Sequence, residues 1–286
     1  MDLPRSSMQV VILSRDRSLY STRSLVGAYE EAGYQVEVLD ALTLEVKVGR
    51  GVYYSGERLC PDLIIPRFSS QLLVAGLAVL REWEREGRGI MNSAASLSVA
   101  SDQLATLQAL SSEGLPVPET SFCSQPEDEA TFDSMTGQSA RVIKLLDSSQ
   151  GRGVTLANNP QTARSVLSTL ATLRSSGVTQ KYYAESRGED RRLLVYQGQV
   201  IASIKRSARA GEFRANIHQG GSAESYEPSA EESDLALRAT AALGLDLAGV
   251  DLIYTEEGYK ILEVNASPGL EGVEQGHFMS ISRCLV

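Results

Sequence analysis

The stretch AGVDLIYTEEGYKILEVN, residues 248–265, decides how the chain is read. Two runs rich in branched and aromatic side chains, 250–254 and 259–265, flank a polar turn, which is the pattern of a β-hairpin. With a three-residue loop Glu256-Glu257-Gly258, the glycine takes the left-handed position and Thr255 faces Tyr259. Counting back then places Asp251 opposite Glu263, and strand alternation puts Asn265 on the same face as Glu263. The other face carries Val250, Leu252, Tyr254, Leu262 and Val264, an apolar surface for the core. Two carboxylates facing across a ladder repel each other. A hard divalent cation with oxygen ligands, such as Mg²⁺ completed by phosphates and water, relieves that repulsion. The pattern also fits two solvated carboxylates on the exposed face of an antiparallel sheet.

Upstream of the hairpin, the chain changes character once. Residues 8–13, 35–39 and 63–65 read as short strands separated by helices over 18–32 and 70–86, a small parallel α/β unit covering about residues 1–95. A helix is expected from Ser101, as N-cap, to Gly114, followed by a linker at Pro116 and Pro118. Beyond it, strands at 141–146 and 154–156, a helix over 160–175 stopping at Gly177, a hairpin of 191–196 and 200–205 around Gln197-Gly198, and a helix over 229–243 indicate an α+β region.

Composition narrows the function classes. The 286 residues carry 27 Lys+Arg against 36 Asp+Glu, a formal charge of −9, which disfavours a general nucleic-acid binder. Two histidines, His218 and His277, rule out a poly-histidine metal centre, and the scattered Cys60, Cys123 and Cys284 match neither zinc spacing nor a disulfide framework. The sequence lacks the roughly 18 consecutive apolar residues of a membrane span and any signal-peptide pattern, so the expected location is the cytoplasm.

Three further segments bear on chemistry. SSQGRG at 148–153 lies between two strands, where glycines admit backbone N–H groups to phosphate oxygens or simply make a hairpin turn. Lys144 interrupts an apolar strand, so it either snorkels at an edge or meets an anion. Lys205, Arg206, Arg209 and Arg214 concentrate positive charge ahead of Asn216, as an anion site or as a solvated loop.

Together the strings EVNASPGLEG (263–272), AGVDL (248–252) and GEFRANIHQGG (211–221) resemble the RimK-like family of ATP-grasp ligases, over about residues 90–275. That resemblance implies a pre-ATP-grasp α/β domain (1–95) followed by two ATP-grasp subdomains (96–185 and 186–286) with ATP between them. It implies Mg²⁺ or Mn²⁺, as two ions, on Asp251, Glu263 and Asn265. It further implies phosphate contacts from Lys144 and from Ser148, Ser149, Gly151 and Gly153, and nucleotide contacts from Lys181, Tyr182 and Asp190. Arg214, Ala215 and Asn216 would approach the γ-phosphate, with Arg214 and Lys144 in catalytic roles and Lys205, Arg206 and Arg209 holding an anionic substrate. The activity implied is carboxylate–amine ligation through an acylphosphate, with glutamate as amine donor and a protein tail such as that of ribosomal protein S6 as acceptor. A small-metabolite acceptor, another carrier protein, or a nucleotide-binding module without turnover are the alternatives. Relatives are often oligomeric, which makes a homo-oligomer an expectation without a located interface. The chain departs from the family pattern at Gln103, where a lysine is usual, at Lys181, where glutamate is common, and after Glu274, where a glycine-aspartate turn and final helix are expected but not found.

Overall fold

The computed structural model describes residues 5–68, 72–126, 128–146, 153–209, 212–213, 215, 221–277 and 281–286. The chain opens with β1 (Gln9–Leu13), α1 (Tyr20–Glu31) and β2 (Gln35–Leu39). A small antiparallel ribbon follows, β3 (Glu45–Lys47), β4 (Gly51–Tyr54) and β5 (Glu57–Leu59), and then β6 (Leu63–Pro66), α2 (Leu73–Arg85) and β7 (Gly89–Ile90). β1, β2, β6 and β7 form one parallel sheet in the order β2-β1-β6-β7. β1 and β6 lie buried at its centre, while β2 at the edge is only part-buried; the ribbon, whose short strands carry no long alternating run, has no signal in the sequence.

Next come α3 (Ala94–Ala100), α4 (Gln103–Ser112), β8 (Thr120–Phe122), α5 (Glu129–Thr136), β9 (Arg141–Leu145), β10 (Val154–Ala157), α6 (Pro160–Thr172) and β11 (Gly177–Lys181). Their antiparallel sheet has the order β10-β9-β11-β8 and packs Ile143 and Ala157 against Met135, Ala163 and Leu167 of the two helices. The last part contains β12 (Glu189–Tyr196), β13 (Gln199–Ser207), β14 (Ser222–Ser225), α7 (Ala230–Ala242), β15 (Leu247–Thr255), β16 (Gly258–Asn265) and α8 (Glu271–His277). Here the sheet is antiparallel in the order β14-β13-β12-β15-β16. Gln197 and Gly198 both take positive φ at the β12–β13 turn, the geometry whose twist matches a two-residue hairpin.

Three expectations are corrected. Asp102, not Ser101, caps α4, its Oδ1 accepting from the Leu104 and Ala105 N–H groups, while Ser101 ends the unforeseen helix α3. A carboxylate acceptor meets the positive end of the helix better than a hydroxyl does. Gly177 begins a strand rather than ending a helix; α6 finishes at Thr172, with Arg174 supplying the left-handed turn. After Glu274 the chain forms the end of α8 and a 3₁₀ turn, Ile281–Leu285, packed on α1. The Tyr29 hydroxyl donates to the Leu285 carbonyl at 2.7 Å, and the Glu274 carboxylate accepts from Ser24 and from the Ser282 N–H.

The parallel sheet and the last antiparallel sheet share a core in which Leu13, Ile64, Leu80 and Trp83 cluster with Leu193, Val195, Val250 and Leu252. Asn92 fixes this junction. It is buried in the left-handed conformation, its amide donates to the carbonyls of Leu247 and Ala266 at 2.8 Å, and its Oδ1 accepts from the N–H groups of Asp246 and Leu247. Asn92→Ala would strand these backbone groups and place alanine at positive φ. It should cost about 2–3 kcal/mol in urea unfolding; a loss below about 1 kcal/mol would show that water replaces the amide.

Candidate active site

The β15–β16 hairpin turns on two residues rather than three. Thr255 pairs with Gly258, and near the tip the register runs through Tyr254–Tyr259 to Leu252–Ile261. A bulge between Leu252 and Asp251 then inserts Leu262, and from there Asp251 faces Glu263, Val250 faces Val264 and Gly249 faces Asn265. The carboxylate pairing expected from the sequence is present, but through a shorter turn offset by a bulge. The bulge also exchanges faces: Ile261 enters the core, Leu262 lines the cleft, and Tyr254 is exposed rather than buried.

A cleft of about 820 Å³ opens beside this strand pair. Its walls include Lys144 of β9, Lys181 and Tyr182 at the end of β11, Asp190 and Arg192 of β12, Arg206 of β13, and Asp251, Glu263 and Asn265. Gln103 and Ala215 face it too. Residues more than 100 positions apart thus meet because three sheets turn edges or faces toward one space.

Charge at its floor is organised by Arg192, which the sequence does not single out, and by Arg206, expected at the site as a substrate-holding side chain. Cross-strand pairing sets Arg192 beside Asp251 and Asp190 beside Arg206. Arg192 grips Asp251 with two bonds of 2.7 Å, while Arg206 binds Asp190 at 2.6 and 2.7 Å and reaches Asp251 Oδ2 at 2.7 Å. Asp251 is 1% exposed. Burial opposes its ionisation, yet Arg192 and Arg206 outweigh that and hold it well below the usual carboxylate range. Glu263 reaches Arg192 only at 3.5 Å and keeps 48% of its side chain open to the cleft. Its desolvated surroundings, together with Asp251, push its pKa up. Burial likewise pulls the Lys144 ammonium down, against the pull of Glu263 and Asp251. Among the described residues Lys144 has no ion-pair partner within 4 Å.

This network corrects the expected roles of the basic cluster. Arg206 is buried and engaged with two aspartates, so it organises the floor instead of holding substrate. Lys205, on the opposite face of β13, pairs with Glu224 and lies outside the cleft, as does exposed Arg209. Burial raises the pKa of Asp190, tied as it is to Arg206, which makes it a partner of the arginines at the cleft wall. Arg214, Asn216, Ser148, Ser149 and Gly151 lie outside the described residues. Gly153 closes the β9–β10 hairpin at positive φ, its carbonyl accepting from the Leu145 N–H. Gln180 carried no sequence signal either: it is buried near the end of β11, at the hinge where the chain passes from one antiparallel sheet to the next, and among the described residues its Oε1 has no hydrogen-bond partner.

The donor set fits a hard cation. A carboxylate offers about four lone-pair positions. Three of those on Asp251 are taken by the guanidinium groups, which leaves one on Oδ1. Asn265 Oδ1 accepts one bond, from the Ser267 N–H at 2.9 Å, and retains capacity. With the open Glu263 carboxylate this makes an oxygen-only set of two acids and an amide, the type Mg²⁺ uses when phosphates and water supply the remainder. Among the described residues there is no cluster of three His, Cys, Asp or Glu side chains that would make a self-contained metal centre.

Comparison with known proteins identifies the two domains. A RimK-like ATP-grasp domain matches residues 100–286, and a RimK pre-ATP-grasp domain matches residues 8–97. The chain belongs to the RimK-like ATP-grasp family. This RimK-like protein is 41% identical over 271 residues to a probable alpha-L-glutamate ligase of Pectobacterium carotovorum, covering 93% of this chain and 89% of that one. It is 42% identical to another of the same description from Hydrogenovibrio crunogenus, covering 93% and 90%. In fold it is similar to the ATP-grasp ligase PsnB, solved with a minimal precursor, at a TM-score of 0.75 and 21% identity over 98% and 97% of the two chains. A RimK-like ATP-grasp protein of this kind is a ligase that forms C–N bonds at the expense of ATP.

Proposed function

We propose that the protein adds glutamate to the C-terminal carboxylate of a protein or peptide tail, of which ribosomal protein S6 is the first candidate. The supporting observation is the convergence of Lys144, Glu263, Asn265 and the neutralised Asp251 on one cleft able to take a nucleotide triphosphate. Glu263, Asn265 and Asp251 Oδ1 would hold Mg²⁺, which when bound shields the phosphates and draws electron density from the γ-phosphorus. Lys144 adds a cation on the opposite wall. The Gln180 amide supplies a buried acceptor at the hinge, suited to an exocyclic amine of the base. Gln103 leaves one wall neutral, so Lys144 carries more of the phosphate binding.

Chemistry then follows from placement. An oxygen of the acceptor carboxylate attacks the γ-phosphorus as the bond to ADP breaks, giving an acylphosphate. The amine of glutamate attacks the acyl carbon, the C–O bond to phosphate breaks, and the amine proton leaves with the phosphate. No covalent enzyme nucleophile is required, and positioning with electrostatics supplies most of the rate. Exposed free Cys60 and Cys284 suit a reducing, cytoplasmic setting; among the described residues no helix is long and apolar enough to cross a membrane.

ADP release and product mass, measured with ATP, Mg²⁺, single amino acids and an S6-tail peptide, test the reading. Increments of glutamate on the peptide support it. ADP release with small acids alone would move the acceptor to a metabolite, and nucleotide binding without ADP release would leave a binding module. Lys144→Met should weaken ADP binding about ten- to a hundred-fold by calorimetry, the worth of a charged hydrogen bond. Its unfolding midpoint should not fall, since a half-buried cation without an ion-pair partner among the described residues is removed. Unchanged ADP affinity would take Lys144 off the phosphates.

A further inference from the structure

Arg67 directly follows β6, and its backbone N–H donates to the Leu13 carbonyl at 2.8 Å, so it stands between the C-terminal ends of β1 and β6. In the order β2-β1-β6-β7, the chain leaves β1 first to one side and then to the other. Such a switch point forms a crevice outside the strand ends, where open α/β sheets take ligands. Arg67 lines the cleft from this side. Its Nη1 is sealed from solvent and has no hydrogen-bond partner among the described residues. No carboxylate among the described residues lies within 4 Å of its guanidinium, and burial alone pulls its pKa down to about 10. A guanidinium in that position is short of an anion.

The surroundings are built for one. Arg15, two residues past β1, is exposed at the same wall. The first turn of α1 faces it as well, through Tyr20, Ser21 and Thr22, and its N-cap, Leu19, has no side chain to satisfy the leading N–H groups. The loop trailing the acidic strand closes over the spot: Ser267 Oγ donates to the Pro66 carbonyl at 3.1 Å, and the Leu270 N–H donates to Ser21 Oγ at 2.9 Å. The switch point therefore shares one cleft with Glu263 and Asn265.

We propose that Arg67, with Arg15 and the start of α1, seats a carboxylate of the incoming amino acid. This inference rests on the ligase reading above. The acceptor's terminal carboxylate is consumed by phosphorylation, whereas an incoming dicarboxylic amino acid keeps both of its own and needs a fixed cation to aim its amine. Carboxylates along an acidic acceptor tail share the same chemistry, and the experiment separates the two sources.

L-glutamate is titrated calorimetrically into the ADP- and Mg²⁺-loaded protein for wild type, Arg67→Met and Arg67→Lys. KM values for glutamate and for the tail peptide, ADP affinity and thermal unfolding are followed alongside. Arg67→Met should bind glutamate at least ten-fold more weakly and raise its KM equally, with Arg67→Lys in between. Peptide KM and ADP affinity should stay within about two-fold of wild type. Wild type should reject the amides of glutamate, and Arg67→Met should lose that discrimination. Unchanged glutamate binding in a folded Arg67→Met protein overturns the assignment, and so does a shift confined to peptide KM, which would give the arginine to the tail. Glutamate binding that depends on Arg67 without any ADP release keeps this inference and removes the ligase reading; a wild type that neither binds nor consumes glutamate removes both.

Discussion

Glu263→Gln should lower kcat about a thousand-fold while leaving the unfolding midpoint within about 2 °C of wild type. The two halves of that expectation have separate causes. Glu263 is the one carboxylate of the acidic pair still open to the cleft, and among the described residues its ion-pair contact is the 3.5 Å approach of Arg192. Glutamine keeps its shape and one acceptor oxygen but loses the charge, and with it the strongest unengaged ligand for Mg²⁺. A metal that shields a transferring phosphoryl group supplies several kcal/mol of transition-state stabilisation, and a thousand-fold is about 4 kcal/mol. Stability should hardly change, because Glu263 stands half open to the cleft and makes only a long contact with Arg192. Steady-state ADP release together with a thermal melt reads both halves. A variant with wild-type kcat would take Glu263 out of the metal seat, and one that unfolds early would show the side chain to be structural.

The contrast between the two acids explains what the sequence revealed and what it withheld. Alternation along residues 248–265 put Glu263 and Asn265 on one face, because side-chain direction on a strand is a local property, but Asp251 meets Glu263 only because a shorter turn and a bulge offset each other. Loop length was not fixed by the residues, since Gly258 serves a two-residue turn as well as a three-residue one. The extra residue at Leu262 restored the pairing beyond it and reversed the faces of Ile261 and Leu262. The first strands and α1 were legible for the same local reason: apolar runs bounded by glycine and proline. Arg192 and Arg206 were not, for they meet Asp251 only through pairing with β12 and its neighbour β13, contacts that span 59 and 45 positions. Net positive charge in one segment pointed to an anion site, but which face of β13 each side chain takes depends on register, and that sent Arg206 to the floor and Lys205 to Glu224. Gln180 and Arg67 carried no signal at all. Their interest lies in unmet hydrogen bonding, which exists only once neighbours are known.

Asp251→Ala should destabilise the protein by about 3–5 kcal/mol, so that this substitution threatens the fold as well as the chemistry. Asp251 joins two guanidinium groups: among the described residues, removing it leaves Arg192, 14% exposed, with the distant Glu263 alone, and leaves Arg206 with Asp190 alone. Breaking a buried pair from one side leaves a charge without compensation, which costs far more than the pair itself contributes. Against a typical total of 5–15 kcal/mol, such a loss consumes much of the margin. Asp251→Asn retains an acceptor toward Arg192 and should lose less, staying folded yet inactive. The sign with pH follows: in chelator, the depressed Asp251 pKa contributes stability above its unfolded value near 3.9, and that share is lost as pH falls through and below it. A double-mutant cycle decides whether charge is the cause. Arg192→Met combined with Asp251→Ala should be less destabilised than the sum of the single changes by at least about 1 kcal/mol, because the second substitution removes the charge the first one orphans. Additive losses would mean that Asp251 stabilises the sheet through packing, and the arginine floor would then have to be regarded as part of the nucleotide site alone.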